Sequence, residues 1–392
     1  MQRLPKQVAA VTAALALAVA AASCGSSSSS SSSASSSGGG AVPQVDVTKF
    51  TADYAVMKTL QSLAAQGKGK IGVLLPDTTT STRYVQYDAP NLTKAFEAAG
   101  LSSSDFKITN AQGSVSTMQQ QAEADITDGA SVLLIDPIDT GSGAAIEKNA
   151  EAKGLKVIDY DRLVLGGPSD RYYVSFNNVK VGQLIGQGEI SCINAWGVKN
   201  PNILIMDGDP TDNNAKLFAQ GYNGVLAPKF ADGTYKKVGE PTGTWDPPTA
   251  QTLFEQQYTA HPNINAVVTP NDSNAAAVIA ALKNKKIPPK TFPTTGQDAG
   301  LEGLQNILAG WQCMTVYKSI KTQADAAATV ADGILHAKPI NTQGKTVNDG
   351  KRNVPSVLLT PVAITKNNWK LLISDGFLKK SEVCTGEYAK YC

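Results

Sequence analysis

Short apolar runs rich in Val and Ile, each followed by a stretch with helical spacing, recur along the chain from Lys70 onward. The first series comprises 70–76 (KIGVLLP), 106–112, 131–137 (SVLLIDP) and 156–162 (KVIDYDR). After 172–178 (YYVSFNN) comes a second: 202–208 (NILIMDG), 236–242, 265–272 (NAVVTPND), 294–298 and 312–318 (QCMTVYK). Consecutive apolar positions without alternation predict strands buried on both faces, as parallel strands covered by helices are. Strand alternating with helix predicts an α/β fold. Two such series predict two doubly wound parallel-sheet lobes.

The first residues follow a different pattern. Arg3 and Lys6 precede an Ala/Val/Leu run from Val8 to Ala22 that is broken by one Thr. This run is shorter than the ~20 residues that span a bilayer as a helix. It ends in Ala21-Ala22-Ser23-Cys24, which looks like a lipobox in which Cys24 becomes the lipid-bearing first mature residue. Residues 1–23 then read as a signal peptide. Ser and Gly dominate from Ser26 to Gly40, with too little apolar surface to offset chain entropy. Residues 24–45 read as a lipid-anchored flexible tether, and folding is expected to begin near Asp46.

Composition narrows the function. The 392 residues carry 35 Lys+Arg against 33 Asp+Glu, a net charge of +2 without a long basic run, which argues against a nucleic-acid partner. Two histidines, His261 and His336, and five scattered cysteines leave no metal-ligand cluster with usable spacing. Gly344-Lys345-Thr346 resembles the end of a phosphate-binding loop, but Pro339 stands where that loop needs Gly. No cofactor is expected.

Ligands of open α/β sheets sit beyond the carboxyl ends of the strands. Polar residues cluster there: Asp77 with Arg83, Asp136, Asp161-Arg162, 207–214, Asn271-Asp272, Gln297-Asp298 and Lys318. Asp, Asn and Ser at such places also cap helices, the reading favoured for Asp77, Asp272 and Ser273. Arg162 and Lys318 are less easily explained so, since a cap needs no cation.

These strand ends carry a resemblance. Tyr160-Asp161-Arg162, 173–182 (YVSFNNVKVG), 212–218 (DNNAKLF), Gly296-Gln297-Asp298, 314–318 (MTVYK) and 354–361 (VPSVLLTP) extend in order over most of the chain. In this the sequence resembles periplasmic sugar-binding proteins of ABC importers, of the ribose/galactose type and nearest to the D-xylose-binding branch. The resemblance implies a type I periplasmic binding protein, with two lobes joined by a three-segment hinge that close on a monosaccharide. The N-terminal lobe would be 69–175 with 319–360, and the C-terminal lobe 176–318 with 361–392. The family's sugar-binding positions fall on Arg83, Tyr84, Asp161, Arg162, Asp212, Asn214, Trp245, Asn271, Asp298 and Lys318. Charged and amide groups would take hydroxyls bidentately, and Tyr84 and Trp245 would stack on the sugar's C–H face. The implied partners are D-xylose first among monosaccharides, an ABC permease subunit, and a membrane reached through the lipid on Cys24. The protein would act as a monomer.

Cys384 and Cys392 are eight residues apart in a terminal segment with little core, and a disulfide is expected there. Cys192 and Cys313 fall in one lobe and could approach; two buried thiols are the alternative. A glycosidase would need a carboxylate pair, which Asp161 and Asp298 could mimic. Charge-paired carboxylates are poor proton donors, however, so a binding protein is expected rather than an enzyme. The alternatives to an importer subunit for D-xylose are a different aldose (arabinose, ribose or glucose) or a sensor that presents its closed form to a membrane receptor kinase.

Overall fold

The computed structural model describes residues 49–65, 69–335 and 340–392. The signal peptide, the tether and Cys24 lie outside the described residues.

Among the described residues there are twelve strands: β1 Lys70–Leu75, β2 Phe106–Asn110, β3 Ala130–Ile135, β4 Lys156–Tyr160, β5 Arg171–Phe176, β6 Asn202–Ile205, β7 Lys236–Gly239, β8 Ala266–Val268, β9 Met314–Tyr317, β10 Thr346–Asn348, β11 Asn353–Leu359 and β12 Val362–Thr365. Between them lie α1 Gln61–Ala64, α2 Ala89–Ala98, α3 Val115–Thr127, α4 Thr140–Ala152, α5 Asn178–Ala195, α6 Asn213–Ala231, α7 Pro247–Ala260, α8 Asp272–Asn284, α9 Leu301–Ala309, α10 Ile320–Leu335, α11 Lys370–Ser374 and α12 Lys380–Val383. The first half is a seven-stranded sheet in the order β10-β11-β5-β4-β3-β1-β2, parallel except for β10. Apolar residues of α2 and α10 cover one face, and those of α3 and α4 the other. The second half is built on β7-β6-β8, with α5 and α6 on one face and α7 and α8 on the other. Both sheets are doubly wound, which accounts for the unbroken apolar character of their strands.

The second half departs from the expected row of parallel strands. The segment 294–298 makes a single parallel bridge, Thr294 to Val267. It is tied to β9 by Cys313 N–H to Thr294 O (2.9 Å) and Asp298 N–H to Val316 O (2.9 Å). Asp298 and Ala299 adopt left-handed backbones, φ 100° and 54°, which turns the chain away before a full strand forms. β9 pairs antiparallel with β12.

The chain passes between the halves at β5–α5, β9–α10 and β11–β12, each time at the end of an element. α5 and α6 pack unusually closely. A Cβ on Gly182 would strike the Phe218 carbonyl, and one on Gly221 the Val179 carbonyl. Cys192 in α5 bonds Cys313 just before β9, with 5.9 Å between Cα atoms. Cys384 bonds Cys392 at the same Cα separation.

Candidate functional site

Helix caps and cleft are built from the same residues. Asp212 caps α6 by accepting from Asn214 N–H (2.8 Å), and Asn271 caps α8 by accepting from Asn274 N–H (2.8 Å). Both also line a cavity between the halves. A cap sits at the carboxyl end of its preceding strand, so capping and lining the cleft are compatible roles. Asp77 turns the β1 loop by accepting from Thr79 and Thr80 N–H (2.9 and 2.8 Å). Asp272, expected as a cap, is instead the first residue of α8. It is buried and accepts from Gln312 (2.7 Å), Thr315 (2.8 Å) and Gly300 N–H (3.0 Å), while burial pushes its carboxyl up to about 7.

All ten expected residues line this one cavity: Arg83, Tyr84, Asp161, Arg162, Asp212, Asn214, Trp245, Asn271, Asp298 and Lys318. Its free volume is about 20 Å³, close to the room one water needs. The side chains bond to each other across it.

Asp161 is the hub. Its Oδ1 accepts from Arg83 (2.9 Å), Lys318 (3.1 Å) and Gln323 (3.3 Å), and its backbone carbonyl accepts from Asn214 Nδ2 (3.1 Å). Burial alone would raise its pKa, but the Arg83 and Lys318 cations outweigh that and hold the carboxyl well below its usual range. Arg83 is anchored from behind by Asp88, which accepts from Nε and Nη2 (both 2.8 Å). Arg162 pairs with Asp212 at 3.2 Å, lies 3.6 Å from Asp136, and donates to the Pro137 and Ile138 carbonyls (both 3.2 Å). Its Nη2 donates to the Tyr84 hydroxyl (2.8 Å). Trp245 Nε1 donates to Asp212 Oδ2 (3.1 Å). Asp298 accepts from Ser81 (2.9 Å) on one oxygen; the other has no hydrogen bond and lies 3.9 Å from Arg83. Burial pushes both Asp298 and Asp212 up.

Two refinements follow. The guanidinium carbons of Arg83 and Arg162 stand 5.6 and 5.7 Å from the Tyr84 ring centroid, so this ring braces the two cations. Trp245 gains its place because position 208 is glycine: a Cβ there would meet the indole. The sequence reading did not single out Thr80, Ser81 and Phe218, which also line the cavity, and it named Gln297 among the strand-end residues without assigning it a sugar contact. Phe218 stands within DNNAKLF, two turns after Asp212, and that helical spacing was the available signal. Gln323 lies inside α10, where no local pattern marks it.

Asp161 is held charged by the Arg83 and Lys318 cations, while burial raises Asp298 despite the same two cations. Among the described residues no cluster of His, Cys, Asp and Glu could hold a metal ion, and no helix is long and apolar enough to cross a membrane.

Comparison with known proteins identifies the family. Residues 71–339 match the family described as periplasmic binding protein domain. The chain is 37% identical over 328 residues to the D-xylose-binding periplasmic protein of Escherichia coli, covering 83% of this chain and 96% of that one. It is 31% identical to the multiple sugar-binding periplasmic receptor ChvE of Rhizobium radiobacter, covering 81% and 93%. Among solved structures it resembles a carbohydrate transporter solute-binding protein from Chloroflexus aurantiacus in complex with D-glucose, with TM-score 0.71, 31% identity, and coverage of 80% and 97%. A Clostridium phytofermentans ABC transporter solute-binding protein with bound β-D-glucose gives TM-score 0.70 at 30% identity, covering 80% and 99%. These relatives are binding proteins and not enzymes. The chain belongs to the periplasmic binding protein family.

Proposed function

We propose that this protein is the extracytoplasmic, lipid-anchored substrate-binding subunit of an ABC monosaccharide importer, and that it binds D-xylose between its two lobes. The lobes are 69–175 with 319–360 and 176–318 with 361–392. The observation that carries the reading is the charge balance of the cavity. Arg83, Arg162 and Lys318 face Asp161, Asp212 and Asp298, three cations against three carboxylates. Such a wall suits a neutral, hydroxyl-rich ligand, with each hydroxyl donating to a carboxylate and accepting from a cation. Trp245 and Phe218 supply apolar faces for the C–H side of a pyranose.

Little free volume remains, so a sugar enters by parting the lobes and takes over hydrogen bonds that side chains make to one another. Because Arg162–Asp212 and Asp161–Lys318 span the two lobes, a sugar contacting both stabilises the closed form by population shift. The closed form presents a surface drawn from both lobes to the permease. Cys24 carries the lipid and residues 24–45 form the leash, with a root-mean-square span of roughly 20 Å for about fifteen residues.

Thermal shift with purified protein against a panel of aldoses tests the ligand, since a tight ligand raises Tm by mass action. D-xylose is expected to give the largest shift. A larger shift with D-glucose, the sugar bound to the Chloroflexus and Clostridium relatives, would replace D-xylose in the proposal, and no shift with any sugar would overturn it. Deleting the chain is expected to abolish pentose uptake. Unchanged uptake would favour the sensor.

A further inference from the structure

We propose that Tyr87, which lies outside the cavity, sets how tightly the two halves close and thereby the lifetime of bound sugar. This rests on the sugar-binding reading above. Residues Tyr84–Asp88 form a single π-helical turn, a rare conformation often found at functional sites. The turn aims its side chains in different directions. Tyr84 lines the cavity, Asp88 points inward to Arg83 and Tyr160, and the Tyr87 ring turns toward Phe377 of the second half.

The Tyr87 ring lies 4.4 Å from that of Phe377, centroid to centroid, at an interplanar angle of 32°. It packs against an apolar cluster drawn from α9, β9, β12 and the C-terminal segment of the second half, which Ile320 at the start of α10 also joins. Phe377 in turn lies 4.9 Å from Tyr317, the last residue of β9 before the second crossing between the halves.

The same stretch of the first half touches the second half at two further points. Asn271 Nδ2 donates to the Thr80 carbonyl at 3.5 Å, and Ser81 donates to Asp298 at 2.9 Å. Residues 80–87 therefore touch the second half at both ends of the stretch, while Val85 between them is exposed. The cavity end of the stretch is polar and its outer end is the Tyr87–Phe377 pair. The outer pair touches no ligand position. It contributes only while the halves are together, so it raises the population of the closed form, and apparent affinity scales with that population.

The test compares Tyr87→Ala, Phe377→Ala and the double variant with the wild type, using the sugar that gives the largest thermal shift. An aromatic pair of this kind corresponds to a rise in Kd of about threefold to tenfold. The rise is expected in the dissociation rate, with the association rate unchanged, because the contact forms after the sugar has entered. The double variant is expected to be no worse than the weaker single, as for two residues acting through one contact. Tyr87→Phe, which keeps the ring, is expected to behave as wild type. X-ray scattering should show the same radius of gyration for all variants at saturating sugar, and a more expanded Tyr87→Ala at subsaturating sugar.

A wild-type dissociation rate in both single variants overturns the proposal, as does a loss confined to association or an additive double variant. Those results would leave Tyr87 a structural residue. If either alanine variant fails to fold, Tyr87→Leu and Phe377→Leu keep apolar bulk while removing the ring contact, and the same rates decide. A wild-type protein that binds no sugar sinks the functional reading instead, an outcome separate from these.

Discussion

Asp161 and Asp298 share an unusual backbone as well as a cavity: φ is 59° for the first and 100° for the second. Left-handed conformations at non-glycine residues cost about 1–3 kcal/mol and persist where the surroundings over-determine them. Here the surroundings do so through Arg83, Lys318, Ser81 and Asn214. Asp298→Ala removes an acceptor with one hydrogen bond in the protein and leaves alanine in a left-handed backbone, so Tm is expected to fall modestly. Sugar binding is expected to weaken by at least about tenfold, because a charge-assisted bond is worth ~1.5–3 kcal/mol. Arg162→Ala is expected to weaken binding similarly and also to lower Tm, since it strips Asp136, fully buried and without a hydrogen bond, of its nearby cation. Calorimetry and melting curves on both variants check this, and wild-type affinity in either would refute the assigned site. Asp161 sets an acid limit. Its folded pKa is lowered, so its stabilising contribution is complete above the ordinary carboxylate range and is lost as pH falls through the depressed value.

At the scale of elements, α5 is the most constrained helix of the second half. Gly182 and Gly186 let it approach α6, Cys192 pins it to the start of β9, and Asn177 caps it by accepting from Lys180 N–H (3.0 Å). Its one discordant residue is Glu189, which is fully buried with neither carboxyl oxygen hydrogen-bonded. Burial raises its pKa well above the ordinary glutamate value. A raised folded pKa means a contribution that is intact below the unfolded pKa and lost as pH rises toward the folded one. Glu189→Met, of similar length and unable to ionise, is therefore expected to raise Tm. The relief of an unpaired buried polar group is on the order of 1–3 kcal/mol. Melting at pH 6 and pH 8.5 should show the gap over wild type widening at the higher pH, and a gap that narrows would contradict the assignment.

At the scale of the whole molecule, the described residues form two halves tied by three crossings, the first built on one seven-stranded sheet and the second on β7-β6-β8 with the β9-β12 pair, and both disulfides lie in the second half. Cys192–Cys313 closes a loop of sequence separation 121, whereas Cys384–Cys392 closes one of 8. In the chain-entropy account a bond across the longer loop contributes up to about 5 kcal/mol, and one across the shorter about 2.5 kcal/mol. Cys192→Ala with Cys313→Ala is expected to lower stability more than Cys384→Ala with Cys392→Ala, and denaturant unfolding of the two double variants checks the order. Closure belongs to this scale too, because no single element holds enough of the cavity to enclose a ligand. Arg83, Asp161 and Arg162 come from the first half, and Asp212, Trp245 and Asp298 from the second.

The sequence by itself determined the α/β class, the two series of strands and the polar residues at the strand ends. Each of these is a local property: an apolar run at KIGVLLP or NILIMDG reports a strand buried on both faces whatever surrounds it, and Asp or Asn after such a run reports a helix start. Most of the cavity residues were legible because they fall inside quoted motifs or near strand ends, while Tyr84 and Trp245 came only from the family resemblance. Tertiary structure decided what depends on residues far apart in the chain. It broke the 294–298 strand into a single bridge, set β12 antiparallel to β9, and brought Gln323 from α10 onto Arg83 and Asp161. It also made Asp272 a buried acceptor instead of a cap and turned the Tyr84 ring into a brace for two guanidinium groups. Hydrogen bonds and ring contacts between segments distant in the chain leave no periodicity in either segment, so only the packed chain could place them.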